Sequence, residues 1–146
     1  MKYKNGDLLD SGADVIAHCC NCQSVMGSGV AKAIRTNYLR AYQVDLSCQL
    51  EPEDRLGTFT KSVGVPTIYN LYGQLTFASE IFTVAVDYDA LRSSLQLMVQ
   101  DLKSTGFSGT IGLPKLGAGL AGGDWSVIEK MLDEELDGFD VTVWCI

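Results

Sequence analysis

The sequence predicts an α/β protein with a mainly parallel sheet, because β-prone segments alternate with amphipathic helical ones. The clearest pair is an apolar segment at 14–19 followed by a helical pattern over 30–42, where Val30, Ile34 and Tyr38 share one face. Glycines also cluster at 27–29 and 117–123, each time between a predicted strand and a predicted helix. Because ligands of parallel sheets bind at loops that follow the strands, both clusters mark a candidate site.

The remaining elements follow from β-branched and aromatic content, helix caps and helical spacing. They are a first short strand before Gly6, strands over 67–72 and 81–86, a helix capped by Asp87 or Asp89 and ending near Gly106, a strand over 109–114, a helix from Asp124 to about Leu136, and a last strand over 141–146.

Length and composition predict one domain spanning residues 1–146. The chain is 47% hydrophobic and 20% charged, and it has neither a membrane-length apolar run nor a signal-like start. Five cysteines, an odd number, favour a reducing, cytoplasmic setting. The net charge of −7 and the scattered 11 basic residues argue against general nucleic-acid binding.

The second glycine cluster contains the spacing G-x-G-x-x-G from Gly117 to Gly122. A Rossmann dinucleotide site carries this motif at its first strand, whereas one strand remains here before Ile146. A tight turn without a ligand is the alternative. Ordering so many glycines costs conformational entropy, which is a reason to expect more than a simple turn. We favour a loop whose glycines let backbone amides approach a phosphate closely. The first cluster opens a helix and predicts a second set of such amides.

The segment from His18 to Cys22 holds the chain's single histidine and three of its cysteines. Zinc would need paired cysteine knuckles from separate segments, and this spacing lacks them. A cysteine nucleophile would need a base whose side chain points toward the thiol. His18 is too close in sequence to Cys20 to orient freely toward it. Packing is therefore the expected role of the cysteines. His18 is either a structural residue or a general acid or base.

Three further residues have open interpretations. Asn21 either caps a turn or contacts a sugar hydroxyl, and Asp7 is either a turn residue or an acceptor for a base amino group. Trp144 is either a core residue or a stacking surface for a base.

Taken in order, several segments resemble the macrodomain family, which binds ADP-ribose, over nearly the whole chain. Residues 6–9 are similar to its early G-D-I/L segment, 15–21 to A-I-V-N-A-A-N, and 27–34 to G-G-G-V-A-x-A-I. Residues 87–91 resemble the start of its central helix, and 113–120 its second phosphate loop. The H-x-C-N-C segment resembles the compact branch that includes ADP-ribose 1''-phosphate phosphatases and terminal ADP-ribose glycohydrolases.

The resemblance implies a three-layer α/β/α fold with a mixed, mainly parallel sheet. It also implies that Asp7 accepts from the adenine amino group, that Asn21 lies by the distal ribose, and that the two glycine loops wrap the pyrophosphate. The predicted ligand-binding residues are Asp7, Leu8, Asn21, Gly27, Ser28, Gly29, Val30, Leu116, Gly117, Ala118, Gly119, Leu120, Ala121 and Trp144.

The resemblance implies that a terminal ADP-ribose glycohydrolase works through a lysine and an aspartate, and this chain lacks both. The lysine would fall near the end of segment 69–74, which contains no lysine, and the aspartate would fall at Ala121. His18 matches the phosphatase histidine, so the predicted reaction is hydrolysis of ADP-ribose 1''-phosphate, with Asp124 as a second acid–base group or as a helix cap.

No metal or cofactor is expected. The expected partner of this monomer is a small ADP-ribose derivative, without membrane binding. The alternatives are a non-catalytic ADP-ribose reader and a hydrolase of another ADP-ribose ester, such as O-acetyl-ADP-ribose or an ADP-ribosylated protein or nucleic acid.

Overall fold

The computed structural model describes residues 1–27, 29–76, 85–119 and 121–146, and its strands in that part form one sheet. In chain order the strands are β1 (Lys2–Asn5), β2 (Val15–Asn21), β3 (Phe59–Ser62), β4 (Thr67–Gln74), β5 (Thr110–Leu113) and β6 (Asp140–Cys145). The spatial order is β1-β6-β5-β2-β4-β3, and every pair is parallel except the antiparallel β3–β4 hairpin. This confirms the mixed, mainly parallel sheet.

Helices cover both faces of the sheet. They are α1 (Gly29–Asn37), α2 (Leu39–Leu46), α3 (Pro52–Arg55), α4 (Tyr88–Ser104) and α5 (Trp125–Glu135), with a short 3₁₀ turn over Leu8–Asp10. The strand β2 is buried on both sides: Ile16 packs in a cluster with Ile34 of α1, and Ala17 packs in the larger cluster with Leu91 of α4. The three-layer α/β/α architecture is therefore confirmed.

The prediction of one helix over 30–42 is wrong at Tyr38, where the backbone leaves the helical region (φ −132°, ψ 71°) and separates α1 from α2. The break lets Ala41 of α2 stay fully buried beside Ile34, while its carbonyl accepts a hydrogen bond from Asn70 of β4. Neither α3 nor β3 was predicted. The predicted strand over 81–86 falls mainly on residues 81–84, which lie outside the described residues.

Two predicted helix caps are confirmed. Asp87 accepts from the Ala90 amide at the start of α4, and Asp124 accepts from the Ser126 amide at the start of α5. Within the described part of the chain, no helix has the length and apolar character of a membrane span.

Candidate functional site

A cavity of about 460 Å³ opens where β2, β4 and β5 end, at the carboxyl edge of the sheet. This volume lies within the range of small-molecule sites. The nine predicted site residues that line it are His18, Asn21, Gly27, Gly29, Val30, Leu116, Gly117, Gly119 and Ala121. Residues of both glycine clusters, which are far apart in sequence, therefore line one cavity.

The loop between β2 and α1 is shaped by the Asn21 side chain. Its Oδ1 accepts from the Gln23 amide (2.9 Å), and its Nδ2 donates to the Val25 carbonyl (2.8 Å). This loop leads into the first turn of α1, where the amides of Gly29 and Val30 have no intrahelical acceptor. These amides and the positive end of the helix dipole lie at the cavity wall and suit an anion.

The loop between β5 and α5 depends on Gly117. Its φ of +75° lies in the left-handed region, and a Cβ there would come within 3.1 Å of Ile128 Cδ1 and 3.2 Å of Val86 Cγ2. Among the described residues, the amides of Gly117, Gly119 and Ala121 donate no backbone hydrogen bond outside helices and strands. These three residues line the same cavity, so their amides are candidates for a second set of donors to an anion there.

The charge at the cavity is small. Of the described residues that line it, Lys115 alone is charged at neutral pH, and its Nζ lies 5.9 Å from the Trp125 ring centre. Since the whole chain carries a net charge of −7, an anionic ligand would be held by backbone donors rather than by a positive field.

Comparisons with known proteins show which family the chain resembles. No family model matches the chain. The ADP-ribose 1''-phosphate phosphatase of Scheffersomyces stipitis is 30% identical over 98% of this chain and 99% of its own. A macrodomain protein of Streptomyces coelicolor is 25% identical, with a TM-score of 0.74 over 99% of this chain and 98% of that chain. DarTG of Thermosipho africanus, solved in complex with ADP-ribose, is 18% identical, with a TM-score of 0.75 over 99% of this chain and 42% of that chain.

The chain belongs to the macrodomain family.

Five predicted site residues of this macrodomain do not line the cavity: Asp7, Leu8, Ala118, Asp124 and Trp144. Ser28 and Leu120, also predicted, lie outside the described residues. Asp7 follows the carboxyl end of β1, and Trp144 lies near that of β6. In the sheet β6 is next to β5 and β1 lies beyond β6, so both residues are on the β5 side of the cavity.

Packing around Trp144 explains why a glycine precedes Asp7. A Cβ on Gly6 would lie 3.2 Å from Trp144 Cζ3, and the φ of Gly6 is +143°. Asp7 then caps the 3₁₀ turn, with Oδ1 accepting from the Leu9 amide (2.9 Å). Trp144 is half-buried against the cluster that contains Leu8 and Ile16.

His18 lies in the cavity wall, yet it is only 1% exposed. Its Nε2 is 2.7 Å from Asn70 Oδ1, and the Cys20 sulfur lies beside the ring, 3.4 Å from Nε2 and 3.6 Å from Nδ1. Burial lowers the pKa of His18 from 6.5 to about 4, against the opposing effect of the Asn70 hydrogen bond. His18 is therefore neutral at pH 7, and its imidazole can accept a proton or orient water but does not act as a proton donor there.

The depressed pKa of His18 makes stability depend on pH. Between pH 6.5 and 4, His18 is protonated in the unfolded chain but neutral in the folded protein. The free energy of unfolding therefore has its full value above pH 6.5 and decreases as the pH falls through this window. From pH 7.5 to 4.5, we expect wild type to lose about 2.5 kcal/mol more unfolding free energy than His18→Gln, which does not titrate. Urea unfolding at both pH values measures this, and equal losses would contradict the burial of a neutral histidine.

Asp124 is exposed and caps α5, with Oδ1 bonded to the Ser126 amide (2.9 Å) and hydroxyl (2.7 Å). The Ser126 hydrogen bonds lower the pKa of the Asp124 carboxyl. These contacts describe a helix cap, and an acid–base role stays a prediction.

The Asp124→Ala variant separates the two roles of Asp124. If Asp124 acts only as a cap, its loss lowers the melting temperature, and any release of phosphate stays within about twofold of wild type. Thermal unfolding and phosphate release from ADP-ribose 1''-phosphate measure the two effects. A tenfold fall in kcat at unchanged stability would instead support the acid–base role.

The cysteines of segment 19–22 are protonated packing residues. Burial raises the pKa of Cys19 to about 12 and that of Cys22 to about 11, and raises the pKa of Cys20 well above its usual value. Thiolates are the form that attacks carbon or phosphorus and binds metal, so these side chains are poorly suited to either task. Within the described ranges, no group of three His, Cys, Asp or Glu side chains gathers to hold a metal ion.

Sequence reasoning missed several residues that line the cavity: Cys19, Cys20, Val25, Ala31, Gln74, Pro114 and Lys115. Gln74 was the most accessible to prediction, because it follows a predicted strand and parallel strands end at one edge. Its Nε2 donates to the Thr76 carbonyl (2.9 Å), and the Cys19 thiol lies 3.7 Å from its Oε1. The buried Gln74 side chain therefore joins the ends of β2 and β4 at the cavity.

Proposed function

We propose that this macrodomain binds ADP-ribose and hydrolyses ADP-ribose 1''-phosphate to ADP-ribose and phosphate. The observation that carries the proposal is the pair of glycine loops, which present backbone donors to one cavity in an acidic protein. The name of the Scheffersomyces stipitis relative supports the same substrate.

In the proposed complex, the pyrophosphate lies against the amides of the two glycine loops. The adenine extends along the sheet edge from β5 toward β6 and β1. There Asp7, whose Oδ1 is occupied by the Leu9 amide, offers its second oxygen to the adenine amino group, and Trp144 supports the base. Asn21 acts mainly by shaping the loop, since both ends of its amide are bonded within it.

In the proposed reaction, the oxygen of a water molecule bonds to phosphorus, and the bond from phosphorus to the 1'' oxygen breaks. One hydroxyl joins the released phosphate, and one proton joins the 1'' oxygen, so atoms and charge balance. Loop amides stabilise the phosphoryl oxygens, and neutral His18 orients the water through Nδ1. Because the pKa of His18 is about 4, protonation of the leaving oxygen is not assigned to it.

A second candidate function is a reader that binds ADP-ribose without turnover. The observation in its favour is that His18 is 1% exposed, with Nε2 at 2.7 Å from Asn70 Oδ1 and the Cys20 sulfur beside the ring. A structural histidine would have these contacts.

Phosphate release from ADP-ribose 1''-phosphate separates the two candidates. We expect wild type to release phosphate and His18→Ala to do so at least about tenfold more slowly, while calorimetry gives similar ADP-ribose affinities for both. Binding without release supports the reader, and equal release by both proteins removes His18 from the mechanism. A parallel assay with O-acetyl-ADP-ribose tests for hydrolysis of another ester. Absence of heat with ADP-ribose at millimolar concentration would contradict both functions.

A further inference from the structure

A buried amide, that of Asn70 on β4, contacts the ring of His18. Asn70 is fully buried and His18 Nε2 lies 2.7 Å from its Oδ1. Its Nδ2 donates to the Ala41 carbonyl and to Thr60 Oγ1, both at 3.0 Å. Because a carbonyl oxygen only accepts, the Ala41 contact fixes which end of the amide is nitrogen. The oxygen of Asn70 must therefore face His18, and His18 Nε2 must carry the proton.

The second donor contact of Asn70 belongs to a longer hydrogen-bond chain. Thr60 Oγ1 lies 2.9 Å from the Tyr72 hydroxyl, which donates to Asp45 Oδ1 at 2.6 Å. Since the proton of Tyr72 goes to Asp45, Thr60 donates to Tyr72 and its own oxygen is free to accept from Asn70. From His18 to Asp45, each group thus donates a hydrogen bond to the next, and hydrogen bonds aligned in this way strengthen one another.

The far end of the chain is a buried charged pair. Asp45 is 1% exposed and lies 3.9 Å from Arg55 Nη1, which also donates to Ser24 Oγ (2.8 Å) in the loop between β2 and α1. A carboxylate only accepts, so it sets the direction of the bonds that end on it. The amide of Asn70 is consequently oriented by two acceptors, the Ala41 carbonyl of α2 and Thr60 Oγ1, which begins the hydrogen bonds that lead to Asp45.

We propose that Asn70 is a positioning residue for His18, holding it in the tautomer with Nε2 protonated and Nδ1 free to accept. The consequence for turnover rests on the proposed function. In that tautomer, Nδ1 can accept a hydrogen bond from the attacking water, whereas the other tautomer would donate to it. The Cys20 thiol lies beside the ring, 3.4 Å from Nε2 and 3.6 Å from Nδ1, and is a weak donor, so it leaves the Nδ1 lone pair without a strong partner.

The first test is a long-range ¹H–¹⁵N spectrum of wild-type His18. We expect one nitrogen of the unprotonated, acceptor type, assigned to Nδ1, and one of the protonated type, assigned to Nε2. Protonation at Nδ1 instead would overturn the proposal without any variant. This measurement requires no substrate, so it is independent of whether the protein has phosphatase activity.

The second test uses Asn70→Leu, which removes the acceptor, and Asn70→Asp, which keeps it and adds a charge. In Asn70→Leu we expect the two nitrogen shifts to converge as the tautomers mix. We expect kcat for phosphate release to fall at least about tenfold, with ADP-ribose affinity within about twofold of wild type. In Asn70→Asp we expect Nε2 to stay protonated and the His18 pKa to rise, because the carboxylate favours the imidazolium.

The matched control is Tyr69→Phe, on the adjacent position of β4. The Tyr69 hydroxyl donates to Asp101 of α4 (2.5 Å), and its side chain packs in the cluster with Leu91, on the other face of the sheet from Asn70. We expect this variant to leave the His18 shifts and kcat unchanged. Unchanged His18 shifts in Asn70→Leu, or mixed tautomers with full turnover, would overturn the proposal. If wild type releases no phosphate, the proposed function fails, and the spectra still decide the tautomer.

Discussion

Replacing Asp45 by alanine is expected to lower the free energy of unfolding by about 3–5 kcal/mol, because it leaves the buried Arg55 without its carboxylate partner. The Tyr72 hydroxyl also loses its acceptor. Arg55 is 7% exposed, and its Nη atoms donate to Ser24 Oγ and to the carbonyls of Cys48 and Leu50. These acceptors are neutral, so without Asp45 the buried cation keeps hydrogen bonds but loses the carboxylate that lies beside it. Urea unfolding at pH 7 measures the change.

The matched control for Asp45→Ala is Asp101→Ala. Asp101 likewise accepts from a tyrosine, Tyr69, and from a cation, Lys61 (2.7 Å), but these two charged side chains are 25% and 30% exposed. We expect its loss to cost about 1 kcal/mol. The double variant Asp45→Ala/Arg55→Met should recover part of the stability, since it removes the unpaired cation. Equal costs for the two single variants would show that burial of the Asp45–Arg55 pair does not matter.

Replacing Gly117 by valine is expected to weaken ADP-ribose binding at least about 100-fold. A β-branched residue at a φ of +75° costs about 1–3 kcal/mol in backbone strain. The contacts of its side chain with Ile128 and Val86 cost about 1–3 kcal/mol more through overpacking. The loop should relax to another conformation and lose the amide positions at the cavity. Isothermal titration with ADP-ribose measures the loss.

The control for Gly117→Val is Gly138→Val. Gly138 has a similar φ of +88°, lies between α5 and β6, and would have no atom within 4 Å of its Cβ. This variant carries comparable strain away from the cavity, so we expect reduced stability with unchanged ADP-ribose affinity. Equal losses of affinity in the two variants would mean that general destabilisation, not the shape of the glycine loop, controls binding.

Much of the fold was predictable because its signals are local in sequence. The helical stripe of Leu91, Leu95 and Met98, the cap at Asp87 and the β-prone segment of β2 each depend on neighbouring residues. The break at Tyr38 was missed, since it serves contacts of Ala41 with a distant strand. The β3–β4 hairpin was missed as well, because short edge strands have weak periodicity.

The candidate site was predictable to the extent that glycine loops after parallel strands mark it. Gly29 and Gly117 were placed correctly at one cavity from pattern and topology alone. The state of His18 was not predictable. Its burial, its neutral form and its contact with Asn70 depend on β4 and on helices that pack over β2.

The sequence by itself determined the fold class, the caps at Asp87 and Asp124, and the loops that could present amides to an anion, because these features arise from short-range periodicity and from the backbone freedom of glycine. Only the tertiary structure decided which polar groups are buried together. His18, Asn70, Thr60, Tyr72 and Asp45 come from four separate elements and meet on one face of the sheet. Their protonation states follow from that burial and from the direction of their hydrogen bonds, which no local pattern encodes.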